Sequence, residues 1–316
     1  MDGKIKMRNR GFHACESPFD VFDYYTMIDS RFCEVEQDGN ISKEDRGTKI
    51  CSSKIKIKAE LKLANMINLG VEWLKEITSP EKIKTSIKDN SSGNYAKIGS
   101  SGDEAKIGSS GNNAQIGSSG YGAKIGSSGN NAQIGSSGYG AKIGSSGNDA
   151  KIGSSGNNAQ IGSSGYGAKI GSSGNDAQIG SSGNNAQIGS SGDGAQIGSS
   201  GNDAQIGSSG NNAQIGSSGD GAQIGSSSDG AKISSSGYGA KIDSTGEDCV
   251  IMCAGINSVA KASKGSWVTL SEWSYSEEKQ RYIPICVKTE FVDGEKIKAD
   301  TYYSLKGGVF VEWIND

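Results

Sequence analysis

His13 is the only histidine in the chain, and it stands two residues before Cys15. A histidine next to a thiol is the pairing that activates a cysteine nucleophile, so these side chains are the first candidates for chemistry. Residues 11–15 alternate as a strand does, which directs both side chains to one face. We favour the structural interpretation, a core pair in a small α+β domain. A single histidine excludes the H-E-x-x-H zinc enzymes and most metal sites built from several histidines.

The six cysteines show neither a zinc spacing nor a redox spacing. No C-x-x-C pair occurs, and Cys249 and Cys253 stand four residues apart without a histidine nearby. Reduced thiols are therefore the simpler interpretation. The sequence also lacks a phosphate-binding P-loop and a G-x-S-x-G nucleophile elbow. We predict no bound metal and no cofactor.

Composition and charge exclude several classes of protein. The chain has 316 residues, of which 33% are hydrophobic and 49 are glycine, and this apolar share is too small for one large core. With 32 Lys and Arg against 35 Asp and Glu, the net charge of −3 does not favour binding to nucleic acid or to a membrane surface. No run of 18 apolar residues occurs, and no apolar signal segment follows Met1, so we expect a cytoplasmic protein.

Isoleucine recurs every nine residues through the middle of the chain, in units that read A-[KQ]-I-G-S-S-G-x-x. Nine residues have no room for a helix and its return, and Gly-Ser-Ser-Gly breaks a helix, so each unit is predicted to be one short strand and one turn. A disordered Gly/Ser linker is the alternative, but a linker needs no apolar register. The seventeen isoleucines predicted to form the core are Ile98, Ile107, Ile116, Ile125, Ile134, Ile143, Ile152, Ile161, Ile170, Ile179, Ile188, Ile197, Ile206, Ile215, Ile224, Ile233 and Ile242.

Alternation along each strand predicts that Ile and Ala face inward and that Lys or Gln face outward. The two variable positions are mostly Asn-Asn, Asn-Asp, Tyr-Gly or Asp-Gly. They are predicted to form the corner, because Asn, Asp and Gly tolerate positive φ. Two units per coil suit the available volume better than three, because one Ile and one Ala per side cannot fill a wide triangular interior. Periodicity alone leaves 18 and 27 residues per coil open, since the variable pairs repeat with both periods.

The outer surface of the predicted rod offers two further kinds of site. Calcium-binding nonapeptide rolls need carboxylates from successive coils, whereas only Asp149, Asp176 and Asp203 occupy the matching position here, so we expect no calcium. Eight lysines meet eight aspartates and one glutamate between residues 96 and 246, which gives neither a basic nor an acidic stripe. The tyrosines at corner positions are predicted contact points: Tyr121, Tyr139, Tyr166 and Tyr238.

The two ends of the chain are richer in aromatic and charged residues than the middle. A short helix is predicted to begin at Ser17-Pro18, and strands are predicted over residues 31–37 and 49–61. An amphipathic helix over residues 63–77 is predicted to close the near end of the solenoid. After the repeats, alternation predicts antiparallel strands over 266–273, 281–291, 301–305 and 309–313, with Trp267, Trp273 and Trp313 in their core.

The predicted fold class is therefore mainly β. A two-sided β-solenoid of nonapeptide repeats, with about 18 residues per coil, lies between a small α+β cap and a small antiparallel β domain. We place the N-terminal capping domain at residues 1–90, the solenoid at 91–248 and the C-terminal capping domain at 249–316.

Segments at both ends resemble an uncharacterised family. Residues 10–25, with the Gly-Phe-His-Ala-Cys motif, and the strand segments 30–36 and 54–61 are similar to a domain common in phage, prophage and gut-bacterial proteins. Segments 265–270 and 292–302 are similar to a β tail of the same proteins, which carry short repeats in between. The family has no established activity, so the resemblance implies an architecture and a mobile-element setting in a bacterial host cell.

Our leading hypothesis is a non-enzymatic capped rod that acts as a scaffold or binds a protein partner or a second copy. The resemblance implies a phage-encoded protein, for which a host defence protein is one partner class. Two alternatives stay open. The Gly-Phe-His motif, a short helix and a strand resemble ADP-ribosyltransferase-like folds, in which His13 and Glu34 or Glu36 would be catalytic. The rod could instead assemble end to end into filaments, because stacked strands leave open edges.

Overall fold

The computed structural model describes residues 10–26, 30–44, 48–78 and 90–314. Its N-terminal unit is a three-stranded antiparallel sheet, in the order β1-β3-β2, with two helical segments. The elements are β1 (Phe12–Cys15), a 3₁₀ helix (Pro18–Asp23), β2 (Phe32–Lys43), β3 (Lys49–Leu61) and helix α1 (Leu63–Ile77). The strand β3 and the helix α1 have the predicted bounds, because both follow clear apolar periods.

The strand β2 extends beyond the predicted strand at residues 31–37. Gly39 adopts a positive φ of 80°, and the register against β3 shifts between Asp38 and Ile41. The sequence Asp38-Gly39-Asn40 therefore forms a bulge inside the strand, although its composition is typical of a turn. Pairing resumes after the bulge and continues to Lys43.

Most of the described chain is a solenoid whose faces are two 12-stranded sheets. The strands of sheet A are β4 (Asn90–Ser91), β6 (Lys106–Ser109), β8 (Lys124–Ser127), β10 (Lys142–Ser145), β12 (Gln160–Ser163), β14 (Gln178–Ser181), β16 (Gln196–Ser199), β18 (Gln214–Ser217), β20 (Lys232–Ser235), β22 (Val250–Cys253), β24 (Trp267–Ser276) and β25 (Arg281–Phe291).

Sheet B lies on the opposite side of the solenoid. Its strands are β5 (Lys97–Ser100), β7 (Gln115–Ser118), β9 (Gln133–Ser136), β11 (Lys151–Ser154), β13 (Lys169–Ser172), β15 (Gln187–Ser190), β17 (Gln205–Ser208), β19 (Gln223–Ser226), β21 (Lys241–Ser244), β23 (Val259–Ala262), β26 (Tyr303–Lys306) and β27 (Val309–Glu312).

Each repeat strand pairs in parallel with the strands 18 residues before and after it. Ile152, for example, pairs with Ile134 on one side and with Ile170 on the other. This register confirms the predicted β-solenoid with two nonapeptides per coil. The period of 27 in the variable pairs therefore does not set the winding.

The interior contains the predicted isoleucine and alanine side chains and also serine side chains, which were not predicted to face inward. The repeat isoleucines are at most 4% exposed, and most repeat alanines are buried completely. Lys or Gln and the glycine after isoleucine point outward, as the exposed positions in β10 show. The serine after that glycine, such as Ser145, returns to the interior and is buried too. Each sheet therefore contributes an inward row of isoleucine and an inward row of serine.

The corners depend on backbone contacts between successive coils. The second variable residue has positive φ, as in Asn113 at 58° and Gly122 at 65°, which confirms the prediction for these positions. The side chain of the first variable residue accepts a hydrogen bond from the backbone one coil later, for example Asn130 N–H to Asn112 Oδ1 at 2.9 Å. These bonds repeat along both corners and satisfy turn groups that strand pairing does not reach.

Parallel pairing continues past residue 248. The strands β22 and β23 extend sheets A and B, and β24 also pairs in parallel with β22. Antiparallel pairing begins only with β25 on β24 and with β26 on β23. The C-terminal strands are therefore continuous with the two solenoid sheets, and the division of the chain into three domains stays a prediction.

Two predictions about packing at the ends are wrong. Trp267 is 49% exposed on the outer face, where its ring lies 5.1 Å from that of Phe291, so it is not a core residue. Trp273 and Trp313 are only partly buried. The helix α1 does not close the end of the solenoid, because it contacts β7, β9, β11, β13 and β15 along the side of the rod.

A test of the stacked corners uses two glycines three residues apart. A Cβ at Gly165 would overlap the carbonyl oxygen of Gly147, whereas a Cβ at Gly162 would have no heavy atom within 4 Å. We expect Gly165→Ala to lower the free energy of unfolding by about 1–3 kcal/mol. Gly162→Ala should stay within about 0.5 kcal/mol of the parent chain. Urea midpoints measure both, and equal midpoints would contradict the stacking. Ser228 occupies one such corner position, so we expect destabilisation rather than loss of fold.

Candidate functional site

The outer face of sheet B carries the N-terminal unit. Helix α1 crosses five successive strands of this sheet, so its axis runs along the rod and across the strands. One turn of an α-helix rises 5.4 Å and neighbouring strands lie about 4.8 Å apart. Each turn of α1 therefore meets one further strand of sheet B.

Glycine forms the floor on which this helix packs. The repeat strands of sheet B beneath the N-terminal unit have their glycine on the outer face, and a Cβ there would collide with the side chains above it. At Gly135, for example, a Cβ would lie 2.9 Å from Leu74 Cδ1. Along the rod, Thr78 lies over Gly117, Leu74 over Gly135, Phe19 over Gly153 and Ile67 over Gly171. The row of missing side chains makes a groove that accepts the apolar face of the N-terminal unit.

Carboxylates of the 3₁₀ helix pair with two lysines of sheet B. Lys151 Nζ lies 2.7 Å from Asp20 Oδ1 and 2.7 Å from Asp23 Oδ2, and Lys169 Nζ lies 2.6 Å from Asp23 Oδ1. The Lys151 side chain is 9% exposed. Asp20 also accepts hydrogen bonds from Thr48 and Gln133. These ion pairs join residues that are more than 100 positions apart in the sequence.

The ion pairs change the titration of both partners. Burial alone would raise the pKa of Asp23, but hydrogen bonds from Lys151 and Lys169 outweigh it and lower that pKa. Burial alone would lower the pKa of Lys151, but the charges and hydrogen bonds of Asp20 and Asp23 outweigh it and raise that pKa. Asp23 and Lys151 are therefore both charged at neutral pH.

The residues of the enzymatic alternative do not form one site. His13 on β1 and Glu34 on β2 line the same hollow in the N-terminal unit, but β3 lies between their strands. Two strand spacings place those backbones about 10 Å apart. Glu36 does not line the hollow and pairs with Lys58 at 2.6 Å.

Cys15, which stands two residues after His13, is not an activated nucleophile. Burial, with a contribution from the nearby carboxylate of Asp20, raises the pKa of Cys15 to about 11. The thiol is therefore protonated at neutral pH, and a protonated thiol is a poor nucleophile. The free cysteine Cys253 is buried at the other end of the rod, where burial raises its pKa to about 12.

The four tyrosines predicted as contact points are at corners with exposed rings. Tyr121 and Tyr139 lie one coil apart on the same corner, and their rings stack at 5.5 Å between centroids. Tyr139 and Tyr238 each accept a hydrogen bond from an asparagine amide on the same corner one coil later. Tyr166 is at the opposite corner from Tyr139. The structure places these rings at the surface, and their role in contacts stays a prediction.

The outer face of sheet A has the same residue pattern as sheet B. Its glycine row forms the floor of an open groove of about 1300 Å³, bordered by the outward Lys and Gln side chains. In the described part of the chain, no element packs on this floor as α1 packs on sheet B.

Comparison with known proteins identifies only the N-terminal part. Residues 1–69 match a family described as Domain of unknown function (DUF7666), and this match ends within α1. No curated protein and no solved structure matches the chain. Within the described ranges, no helix is long and apolar enough to span a membrane, and no three His, Cys, Asp or Glu side chains are grouped to hold a metal.

Lys151 and Lys142 provide a matched test of the docking of the N-terminal unit. They hold the same position in successive strands, but Lys142 is exposed on sheet A. We expect Lys151→Met to destabilise the docked state by about 1–3 kcal/mol, because Asp20 and Asp23 lose their shared donor. Lys142→Met should change it by less than about 0.5 kcal/mol. Amide hydrogen exchange in α1 reports the difference, and equal exchange in both variants would contradict the role of the ion pair.

The same measurement has a defined pH dependence. The pKa of Asp23 is lowered in the folded state, so its contribution is complete above the ordinary aspartate pKa of about 3.9. We expect the contribution to be lost as the pH falls below that value, through the lowered pKa. The pKa of Lys151 is raised, so its contribution is lost only above about 10.4. Protection of α1 that declines between pH 5 and 9 would contradict this assignment.

Proposed function

We propose that the protein is a non-enzymatic interaction rod. The observation that carries the proposal is the continuity of sheets A and B from the docked N-terminal unit to the C-terminal strands. A continuous stack of parallel coils holds surfaces at its two ends at a fixed distance and angle. About ten coils at about 4.8 Å each give a length of about 48 Å.

The outer rows of the rod are suited to hold protein elements. Sheet B already binds a helix through its glycines and two aspartates through its lysines. The rows mix lysine with glutamine, and the corners carry aspartates, so a protein partner fits this surface better than the phosphates of a nucleic acid. A cytoplasmic location and the lack of membrane binding are part of the proposal.

The partner class comes from the resemblance of both ends to phage, prophage and gut-bacterial proteins. We propose a phage-encoded or prophage-encoded chain that binds a protein of host defence. The family match supports an N-terminal domain whose function is unknown, and it supplies no activity.

End-to-end filaments are the weaker form of self-association for this rod. A filament of stacked coils needs a parallel edge at each end. At the C-terminal end, the antiparallel strands β25 and β27 form the outer edges of the two sheets, and β25 contains Pro284, which lacks a backbone N–H donor. This arrangement favours a rod of fixed length.

Deletions of whole and half coils test the spacing role. Removal of residues 200–217 deletes 18 residues and joins Ser199 to Ser218, so both ends keep their sides and the rod shortens by about 4.8 Å. Removal of residues 200–208 deletes nine and exchanges the sheets beyond the junction. We expect the half-coil deletion to weaken partner binding by more than roughly tenfold and the whole-coil deletion to have a smaller effect.

The partner for this measurement is isolated with the full chain from host-cell extract, identified by mass spectrometry and then purified. Its affinity is compared between the two deletion variants, after circular dichroism has shown that both fold. Equal affinity for both would show that the partner does not use both ends, which contradicts the rod.

Substitution of the candidate catalytic residues tests the enzymatic alternative. We expect His13→Ala and Glu36→Ala to leave the biological effect of the protein unchanged. Loss of the exposed Glu36–Lys58 pair should leave the thermal midpoint nearly unchanged, because solvent screens exposed ion pairs. An effect that disappears in either variant while the thermal midpoint stays the same would favour an enzyme.

A further inference from the structure

The glycine row of sheet A has no structural explanation within the described chain. A Cβ built at any of five successive glycines would have no heavy atom within 4 Å: Gly126, Gly144, Gly162, Gly180 and Gly198. None of these glycines has positive φ, so the backbone does not require glycine there. The row exposes glycine backbone along a groove that the outward Lys and Gln side chains border. Exposed apolar grooves of this size commonly bind a partner.

Sheet B shows what such a row accepts. Its glycines receive the apolar side chains of α1, and the helix axis follows the row from one coil to the next. The strand spacing and the helical pitch are the same on sheet A. The groove of sheet A is therefore matched in shape to an α-helix that lies along the rod.

The charges beside the groove of sheet A restrict which helices it can bind. On sheet B, Lys151 and Lys169 pair with carboxylates of the docked unit. On sheet A, Lys106, Lys124 and Lys142 hold the same repeat position in three successive strands and are exposed. No described carboxylate forms an ion pair with them. A helix that presents carboxylates toward this flank would repeat the pairing seen on sheet B.

The length of the groove indicates the length of the helix. Its lining begins at Lys124 on β8 and ends at Val250 and Met252 on β22, which are both about half exposed. Seven strand spacings cover about 34 Å, or about 22 residues of α-helix. Beyond the last glycine, Met252 continues the glycine row and Val250 continues the Lys/Gln row, so this end of the groove is lined by apolar side chains.

We infer that the groove of sheet A binds an amphipathic α-helix of a partner protein, with its apolar face on the glycine row and carboxylates toward the lysines. This inference rests on the proposed interaction rod and names the chemistry of its partner. A second copy does not supply this helix, because its α1 is docked on its own sheet B. The occupant is therefore a different protein.

A designed peptide tests the groove directly. The probe is a fluorescent peptide of about 22 residues with the apolar spacing of α1 and glutamates along one flank. It is titrated with the full chain and followed by fluorescence anisotropy. We expect saturable binding that weakens roughly tenfold or more when Gly162→Leu and Gly180→Leu fill the groove. Lys124→Glu with Lys142→Glu should weaken it by a similar factor, and a peptide with lysines in place of the glutamates should bind poorly.

Matched variants separate the groove from general effects. Ser209→Leu adds a leucine on the side of sheet B, and Lys279→Glu with Arg281→Glu makes the same change of charge on the C-terminal hairpin; all three positions are exposed. These variants should bind the peptide as the parent chain does. All variants should keep the thermal midpoint of the parent, because none of the substituted side chains is buried.

Three results would overturn the inference: no binding, equal binding of the two peptides, or binding that the leucines do not affect. A duplex oligonucleotide that displaces the peptide and depends on Lys124 and Lys142 would assign the lysines to nucleic acid and would also overturn it. Failure of the peptide together with partner binding that is sensitive to the half-coil deletion would leave the interaction rod in place. Peptide binding without any effect of the deletions would retain the groove and contradict the rod.

Discussion

In-register stacking of like residues is the interaction on which the whole structure depends. Each strand residue pairs with its equivalent 18 residues away, so isoleucine lies on isoleucine, serine on serine and glycine on glycine. Backbone hydrogen bonds at the corners also join successive coils, for example from Asn131 N–H to Asn148 O. A coil contributes little by itself, and stability comes from burying its faces against two neighbours. The stacking also requires glycine at the corners, because the backbones of successive coils approach too closely there to leave room for a side chain.

The period of the repeats and the alternation of apolar and polar residues along each strand were enough to predict the main features of the fold. The ninefold spacing of isoleucine predicts strand, inward face and corner, and the apolar spacing of α1 predicts both of its ends. The position of α1 could not be predicted, because a helical period identifies an apolar face but not the surface that covers it. The pairing of Asp20 and Asp23 with Lys151 could not be predicted from the sequence either. The only signals were two carboxylates three residues apart and two lysines among glutamines, with more than 100 residues between them.

The outer faces of sheets A and B present the same types of residue, but the N-terminal unit is docked on sheet B. Both carry a glycine row and a Lys/Gln row, but the described part of the chain supplies a helix for only one of them. Sheet B has Lys151 and Lys169 where it meets the docked carboxylates, whereas the strands of sheet A at the same level carry Lys142, Gln160 and Gln178. The order of lysine and glutamine thus distinguishes faces that shape alone does not. Sequence reasoning found these rows but assigned no function to the glycines, because an outward glycine has no side chain to interpret.

The near-identity of the coils has a consequence for how the chain reaches its native state. A stack displaced by one full coil would keep almost every isoleucine contact, since neighbouring units differ mainly at the corners. Unique residues must therefore penalise the slipped arrangements, and a buried charge without a partner is among the strongest penalties available. Displacement of the docked unit by one coil toward the N-terminus would put Gln133 and Lys151 where Lys151 and Lys169 now meet Asp20 and Asp23. The ion pairs on sheet B thus select one alignment of the N-terminal unit on the rod from several in which the packing is nearly equivalent.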